Sequence, residues 1–142
     1  MSYAIHLGEE YCAGGGFPLW ADRALGIEFT NAQFIAWNAF AFGLMCVGAS
    51  LVSRTPRFRF VEIALAIAVL GNVATHVLGS LATWTYSPGL ITSVGIWSPL
   101  AVLRLRSASE ASTRRARHAG IYLGVSVVLI TLFVVMFGTI FR

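Results

Sequence analysis

The residues best suited to chemistry lie near the amino terminus, where one histidine and two glutamates follow at helical spacing. His6, Glu9 and Glu10 occupy positions i, i+3 and i+4, so a helix through them carries all three on one face. Asn72 and His76 stand at i and i+4 and also share a face. Imidazole nitrogen and carboxylate oxygen are common ligands of zinc and of non-haem iron. The pattern predicts a divalent metal site, zinc in preference to iron, with the ligands His6, Glu9, Glu10 and His76.

The two adjacent glutamates also predict a catalytic role. A zinc ion with an open coordination position lowers the pKa of a bound water towards about 7, which makes that water a nucleophile. One of Glu9 and Glu10 would then be a ligand and the other a general base. An iron site for oxidation ranks lower, because four side chains are few for two iron ions.

The same residues also have interpretations without a metal. His6, Glu9 and Glu10 could form an exposed amino-terminal turn in water. Asn72 and His76 could make an interhelical hydrogen bond that holds a helical bundle together. An ionisable group at membrane depth costs roughly 2.5–3.5 kcal/mol, and a bound cation, protonation, or pairing of the glutamates with the histidines would each remove that cost.

The composition is that of a membrane protein. Of 142 residues, 57% are hydrophobic and 11% are charged, and the mean hydropathy is +0.76, whereas soluble domains carry about 25% charged residues. A spanning helix needs about 20 mostly apolar residues. We therefore predict an all-α fold, one integral membrane helical bundle over residues 1–142, with a short amino-terminal half-helix at 1–13. About four membrane spans are expected at 31–52, 60–83, 88–103 (with a kink or tilt at Pro99) and 119–141.

Arginine supplies all ten basic residues, and most of them fall in two of the connections between these runs. The arginine-rich connections are 54–59 and 104–117, which the positive-inside rule places in the cytoplasm. Both chain termini are then expected outside, in what we interpret as a bacterial cytoplasmic membrane. Because membrane topology explains the arginines, we predict no nucleic-acid partner.

Polar residues of four segments are expected in one layer of the bundle. His6 and His76 each lie eight residues from the predicted outer end of their helices, a depth of roughly 12 Å. By the same count, Asn38 lies roughly 10 Å deep and Thr92 roughly 6 Å deep. We take Asn38, Asn72 and Thr92 as supporting residues. For Asn38 and Thr92, hydrogen bonding between helices is the favoured role.

The combination of an HxxEE sequence at 6–10 and an NxxxH sequence at 72–76 resembles the HXXEE family of small prokaryotic membrane proteins. The stretches GFPLW at 16–20 and YSPGL at 86–90 are also similar to that family. The resemblance covers roughly residues 5–100 and implies a metal-dependent enzymatic role for the His and Glu pattern. Members similar to this chain usually carry more apolar sequence before the motif, whereas five residues precede His6 here. Either the half-helix suffices, or the native start lies upstream.

Three functions follow from these patterns. The first is a metal-dependent enzyme that acts on a lipid or another hydrophobic substrate entering from the outer leaflet, with membrane lipids around it. The second is a non-catalytic membrane subunit, in a homo-oligomer or a larger complex, in which the polar cluster is structural. The third is a small transporter or proton relay, although the sequence shows no inverted repeat of the kind that many transporters have.

Overall fold

The computed structural model describes residues 1–28 and 30–137, and within these ranges the chain forms helices and turns and no strand. The all-α prediction is therefore confirmed. The helices are α1 Ser2–Cys12, α2 Phe17–Leu25, α3 Asn31–Arg54, α4 Arg59–Thr83, α5 Leu90–Thr92, α6 Ser98–Glu110 and α7 Arg114–Phe137. Two 3-10 turns, Ala13–Gly15 and Pro56–Phe58, and one π-helical turn, Ser93–Trp97, connect them.

Three of the described helical segments are long and apolar enough to cross a membrane. They are Asn31–Arg54, Pro56–Thr83 and Arg114–Val135, and only 6%, 28% and 11% of the residues in their most apolar windows are buried inside the protein. Apolar surface that the protein does not cover itself is suited to lipid rather than to water. The arrangement indicates a membrane protein with at least these three candidate spans.

The expected third span has a less regular helix than the sequence suggested. α5, the π-helical turn and α6 follow one another directly, and the π-helical turn lies just before Pro99. Proline has no backbone N–H and its ring crowds the preceding turn, so the regular α-helical ladder is interrupted there. α6 also contains Arg104 and Arg106. A membrane span over this segment stays a prediction.

The amino-terminal residues form the expected short helix, α1, followed by a second helix that the sequence analysis did not assign. α1 ends in a turn where Gly14 has a positive φ of 61°. Pro18 lies at the start of α2, and the αL residue Gly26 ends it, as is common at the two ends of helices. α2 buries Trp20 and Ala21, which closes the amino-terminal segment against the bundle.

α4 is the centre of the bundle, and α7 packs closely along it. A side chain at Gly120 would lie 2.6 Å from the carbonyl oxygen of Phe60, and one at Gly124 would lie 2.8 Å from Ile67. This GxxxG pair therefore brings the two backbones together within the chain. At one end of the bundle, Arg59 Nη1 donates a hydrogen bond of 2.6 Å to the carbonyl oxygen of Ala111, so the two arginine-rich connections meet there.

A candidate metal centre between α1, α4 and the 84–92 connection

The structure brings three of the four predicted ligands together in the interior. His6 and Glu10 lie one turn apart on α1, and His76 reaches them from α4. Glu10 Oε1 lies 3.4 Å from His6 Nε2 and 3.1 Å from His76 Nε2. The three residues are at most 5% exposed, and one ligand atom from each lies within 4.8 Å of the others. We call these three residues the His–Glu cluster.

The spacing of the His–Glu cluster fits a small divalent ion. Tetrahedral zinc with bonds of about 2.0–2.1 Å holds neighbouring ligand atoms about 3.3 Å apart, which is close to both observed distances. Two nitrogen ligands and one carboxylate are also a donor set that zinc accepts, with a fourth position left for water or substrate. The cluster could hold a metal ion.

Each histidine of the cluster has a hydroxyl group at its other ring nitrogen. His6 Nδ1 lies 2.7 Å from Thr92 Oγ1, and His76 Nδ1 lies 3.0 Å from Ser87 Oγ. Thr92 Oγ1 also donates to the carbonyl oxygen of Gly89 at 3.3 Å. Because the threonine hydroxyl has one proton, it then accepts from His6 Nδ1–H, which leaves the Nε2 lone pair of His6 free.

This tautomer places two acceptors against each other. His6 Nε2 is buried and has no hydrogen-bond partner, yet it faces the Glu10 carboxylate at 3.4 Å. A lone pair and an anionic oxygen repel at that distance unless a cation or a proton lies between them. The close approach of His6 Nε2 and Glu10 Oε1 therefore requires either a proton or a cation between the two atoms.

Aromatic rings form the wall around the cluster. The Trp97 ring lies over His6 with ring centroids 3.9 Å apart, and the Phe17 ring meets His76 edge-on at 5.7 Å. Trp97 belongs to the π-helical turn and Phe17 begins α2, so the less regular parts of the fold enclose the site. Such burial lowers the local dielectric constant and strengthens charge interactions inside.

Gly89 lies directly over the three side chains. A Cβ added at this position would be 2.7 Å from His76 Cε1, 2.8 Å from Glu10 Cγ and 3.0 Å from His6 Cε1. Its φ of 96° is also one that residues with side chains rarely adopt. Glycine is therefore required twice here, for backbone conformation and for space beside the cluster.

Glu9, the fourth predicted ligand, faces a different set of groups. Its Oε1 accepts hydrogen bonds from the Ile91 N–H at 2.9 Å and from the Tyr86 hydroxyl, and its Oε2 accepts one from the Thr92 N–H at 2.8 Å. Successive residues of an α-helix point about 100° apart. Glu10 therefore points to the histidines while Glu9 points to the connection between α4 and α5.

The charge states of the two glutamates follow from these partners. Burial raises the pKa of Glu9, but hydrogen bonds from Thr92, Tyr86 and Ile91 lower it by more, to about 2. Burial likewise raises the pKa of Glu10, whereas hydrogen bonds and charge from His6 and His76 would lower it if their Nε2 atoms carried protons. Burial and then Glu9 raise the pKa of Tyr86 to about 12, so Tyr86 keeps the proton that it donates. Glu9 is therefore a carboxylate near neutral pH.

The supporting residues divide between the cluster and the surrounding helices. Thr92 contacts the cluster directly, as described above. Asn38 instead accepts hydrogen bonds from the Tyr3 hydroxyl, at its side-chain oxygen (2.9 Å) and its carbonyl oxygen (2.8 Å), and so joins α3 to α1. The side-chain oxygen of Asn72 is buried and makes no hydrogen bond.

Four residues at the site had no role in the sequence analysis. Ser87 and Gly89 lie in the stretch 86–90, which was noted only for its family resemblance. Phe17 lies in the stretch 16–20, which was noted for the same reason, and Trp97 is one aromatic residue among many. The order of a hydroxyl, a proline and a glycine before a helix could have identified the first two as a turn close to a ligand.

The comparisons with known proteins agree with the resemblance seen in the sequence. Residues 1–104 match the family described as "Protein of unknown function with HXXEE motif". This match includes α1, α4 and the 84–92 connection, and therefore every residue of the His–Glu cluster. No curated protein and no solved structure is significantly similar to the chain. The chain belongs to the HXXEE-motif family.

Proposed function

We propose that this member of the HXXEE-motif family is a membrane-embedded metalloenzyme that hydrolyses a lipid or another hydrophobic substrate. Its metal would be one divalent cation, zinc in preference to iron, held by His6, Glu10 and His76. The observation that carries the proposal is the buried His6 Nε2, which makes no hydrogen bond and lies 3.4 Å from Glu10 Oε1.

The surroundings of the His–Glu cluster support a cation more than a purely structural hydrogen-bond network. A buried polar atom that makes no hydrogen bond costs roughly 1–3 kcal/mol, and a cation between His6 Nε2 and Glu10 Oε1 would remove that cost. Both histidines also bond through Nδ1 to a hydroxyl group. Metal-bound histidines are commonly oriented through their other ring nitrogen in this way.

The donor set supports hydrolysis as the reaction class. Zinc held by two nitrogens and one carboxylate lowers the pKa of a bound water to about 7. Glu9 is a poor candidate for the general base in such a reaction, because its two oxygens already accept three hydrogen bonds. Glu10 and the two histidines would hold the cation, and the Trp97 and Phe17 rings beside the histidines would limit the access of bulk water.

An apolar groove beside α1 supports a hydrophobic substrate. It has a volume of about 490 Å³ and runs between α1 and α3, where Tyr3, Leu7, Tyr11, Phe34 and Phe42 line it. The Tyr3 ring contacts Trp97, and the Trp97 ring contacts His6. One layer of aromatic rings therefore separates the groove from the cluster, and α3 is otherwise open to lipid.

The test is an assay of lipid hydrolysis in reconstituted vesicles. Zinc-loaded protein, chelator-treated protein and the Glu10→Gln variant would be incubated with a phospholipid mixture, and released fatty acid or headgroup would be measured by mass spectrometry. The proposal expects release by the zinc-loaded protein and loss of it in the other two. Glu28→Gln makes the same chemical change at an exposed glutamate and should keep the activity. Zinc-loaded protein that hydrolyses none of the lipids would contradict the proposed reaction.

One observation favours the alternative of a non-catalytic subunit. The cluster is nearly closed, with its three residues at most 5% exposed and Gly89 above them, and closed sites are typical of structural zinc. Cobalt-substituted protein would separate the two functions. A visible spectrum that changes when azide is added indicates an open coordination position, as an enzyme needs, and an unchanged spectrum favours the structural role.

A further inference from the structure

We propose that Glu9 is a positioning residue, which clamps residues 86–92 across the metal site and contributes no ligand atom. Residues 86–92, from Tyr86 to Thr92, are called the strap below. The inference rests on the proposed metal site, and it assigns separate tasks to the two glutamates of the HxxEE sequence.

Glu9 binds the strap at both of its ends. The Tyr86 hydroxyl donates from the first residue of the strap, and the backbone N–H groups of Ile91 and Thr92 donate from the last two. These donors occupy both carboxylate oxygens. A side chain with two acceptor oxygens and no donor is required at this position, because an amide would turn its own N–H towards a backbone N–H.

The strap in turn carries the groups that position the ligands. Ser87 Oγ lies 3.0 Å from His76 Nδ1, Thr92 Oγ1 lies 2.7 Å from His6 Nδ1, and Gly89 lies over the centre of the cluster. Ser87 is fully buried. The hydroxyl partners of both histidines thus reach the cluster on one short segment, and Glu9 ties that segment to the helix that bears His6 and Glu10.

Adjacent positions on α1 explain why the clamp and the ligand are neighbours in the sequence. Glu10, at i+4 from His6, shares its face, whereas Glu9 is turned about 100° from Glu10 around the helix axis. Both residues are fixed to the same helical turn. A shift of the strap relative to α1 would therefore move the hydroxyl partners relative to the ligands, and metal affinity would respond although Glu9 never touches the ion.

The first measurement is hydrogen exchange of the metal-free protein. Glu9→Gln should speed exchange at the Ile91 and Thr92 amides by about 10–100-fold, since hydrogen bonds to a charged group are lost. Glu28→Gln is the matched control at an exposed carboxylate and should leave those amides unchanged. Tyr86→Phe removes only one of the three donors and should change exchange in the same direction by a smaller factor.

The second measurement is metal binding by the same variants. Glu9→Gln should weaken zinc binding about 10–100-fold, as loss of a residue that orients metal ligands typically does. The visible spectrum of cobalt-loaded Glu9→Gln should keep the wild-type band positions and intensities. Glu10→Gln should instead lose binding or change the spectrum, because it removes a ligand atom.

The outcomes separate this inference from the proposed function. A changed cobalt spectrum in Glu9→Gln, with normal exchange of the strap, would make Glu9 a ligand and overturn the inference. Unchanged amide exchange in Glu9→Gln would overturn it whatever the metal content. Faster exchange in a protein that binds no metal would uphold the clamp and reject the metal site.

Discussion

Replacing Gly89 with alanine adds one methyl group between the side chains of His6, Glu10 and His76. The new Cβ would lie 2.7–3.0 Å from a carbon atom of each of the three, whereas ordinary contacts begin at 3.4 Å. The ligands or the strap would have to move by about 0.4–0.7 Å, and metal sites keep their ligand distances to within about 0.2 Å. We expect zinc affinity to fall at least tenfold, and by up to about 100-fold.

Gly89→Ala also carries a backbone cost that does not depend on the metal. At a φ of 96°, an alanine is destabilised by roughly 1–2 kcal/mol. Gly26 isolates this term, because it has a φ of 66° and a Cβ there would meet nothing within 4 Å. Gly26→Ala should therefore lower the free energy of unfolding by a similar amount and leave zinc affinity unchanged.

The assay is a competition titration of each purified variant against a chromophoric zinc chelator, with unfolding of the metal-free proteins measured in parallel. Each tenfold change in affinity corresponds to about 1.4 kcal/mol, so the expected loss of binding free energy is about 1.4–2.8 kcal/mol for Gly89→Ala. Zinc affinity equal to wild type in Gly89→Ala would refute the placement of Gly89 over the ligands. An equal loss in Gly26→Ala would assign the effect to backbone strain.

Three further predictions concern other parts of the structure. Thr92→Val removes the hydroxyl partner of His6 and should weaken zinc binding about 10–100-fold in the same titration, whereas Thr92→Ser should retain binding; equal affinities would contradict the assigned role. Gly124→Val should destabilise the bundle by about 1–3 kcal/mol in a denaturation experiment, because a Cβ there lies 2.8 Å from Ile67; a neutral result would contradict the close contact of α4 and α7. A membrane-impermeant thiol reagent should label Cys12, which is exposed near the end of α1, in intact cells. It should not label Cys46, which is also exposed but lies within the candidate span Asn31–Arg54. Labelling of Cys12 only after cell lysis would reverse the predicted orientation.

Helical periodicity predicted the parts of the site that one helix determines. The i, i+4 spacing put His6 and Glu10 on one face of α1, and the count of residues from the helix ends put His76 at the same depth. Composition alone predicted apolar helices, and three of them meet the length and hydropathy of a span. These features depend on local geometry, which the sequence expresses directly.

The remaining parts depend on contacts between distant segments. Helical spacing predicted that Glu9 and Glu10 share one metal site. The strap that gives them different roles is distant in the sequence, since Tyr86 lies 77 residues after Glu9. The role of Gly89 comes from a close approach of backbone to side chains, for which a single sequence has no periodic signal. Hydrogen bonding between helices was the favoured role of Asn38, and Asn38 does join α3 to α1, but its partner Tyr3 could not be identified because the path of α1 across α3 decides it.

The central claim is that α1 and α4 meet at one metal ion, and elemental analysis tests it most directly. Wild-type protein purified in detergent without chelators would be compared with the His6→Ala, His76→Ala double variant, and folding of both would be followed by circular dichroism. The account predicts close to one zinc or iron ion per wild-type chain and none in the folded double variant. A folded wild-type protein without bound metal, even after incubation with zinc, would contradict it and would leave the His–Glu cluster as a structural hydrogen-bonded core.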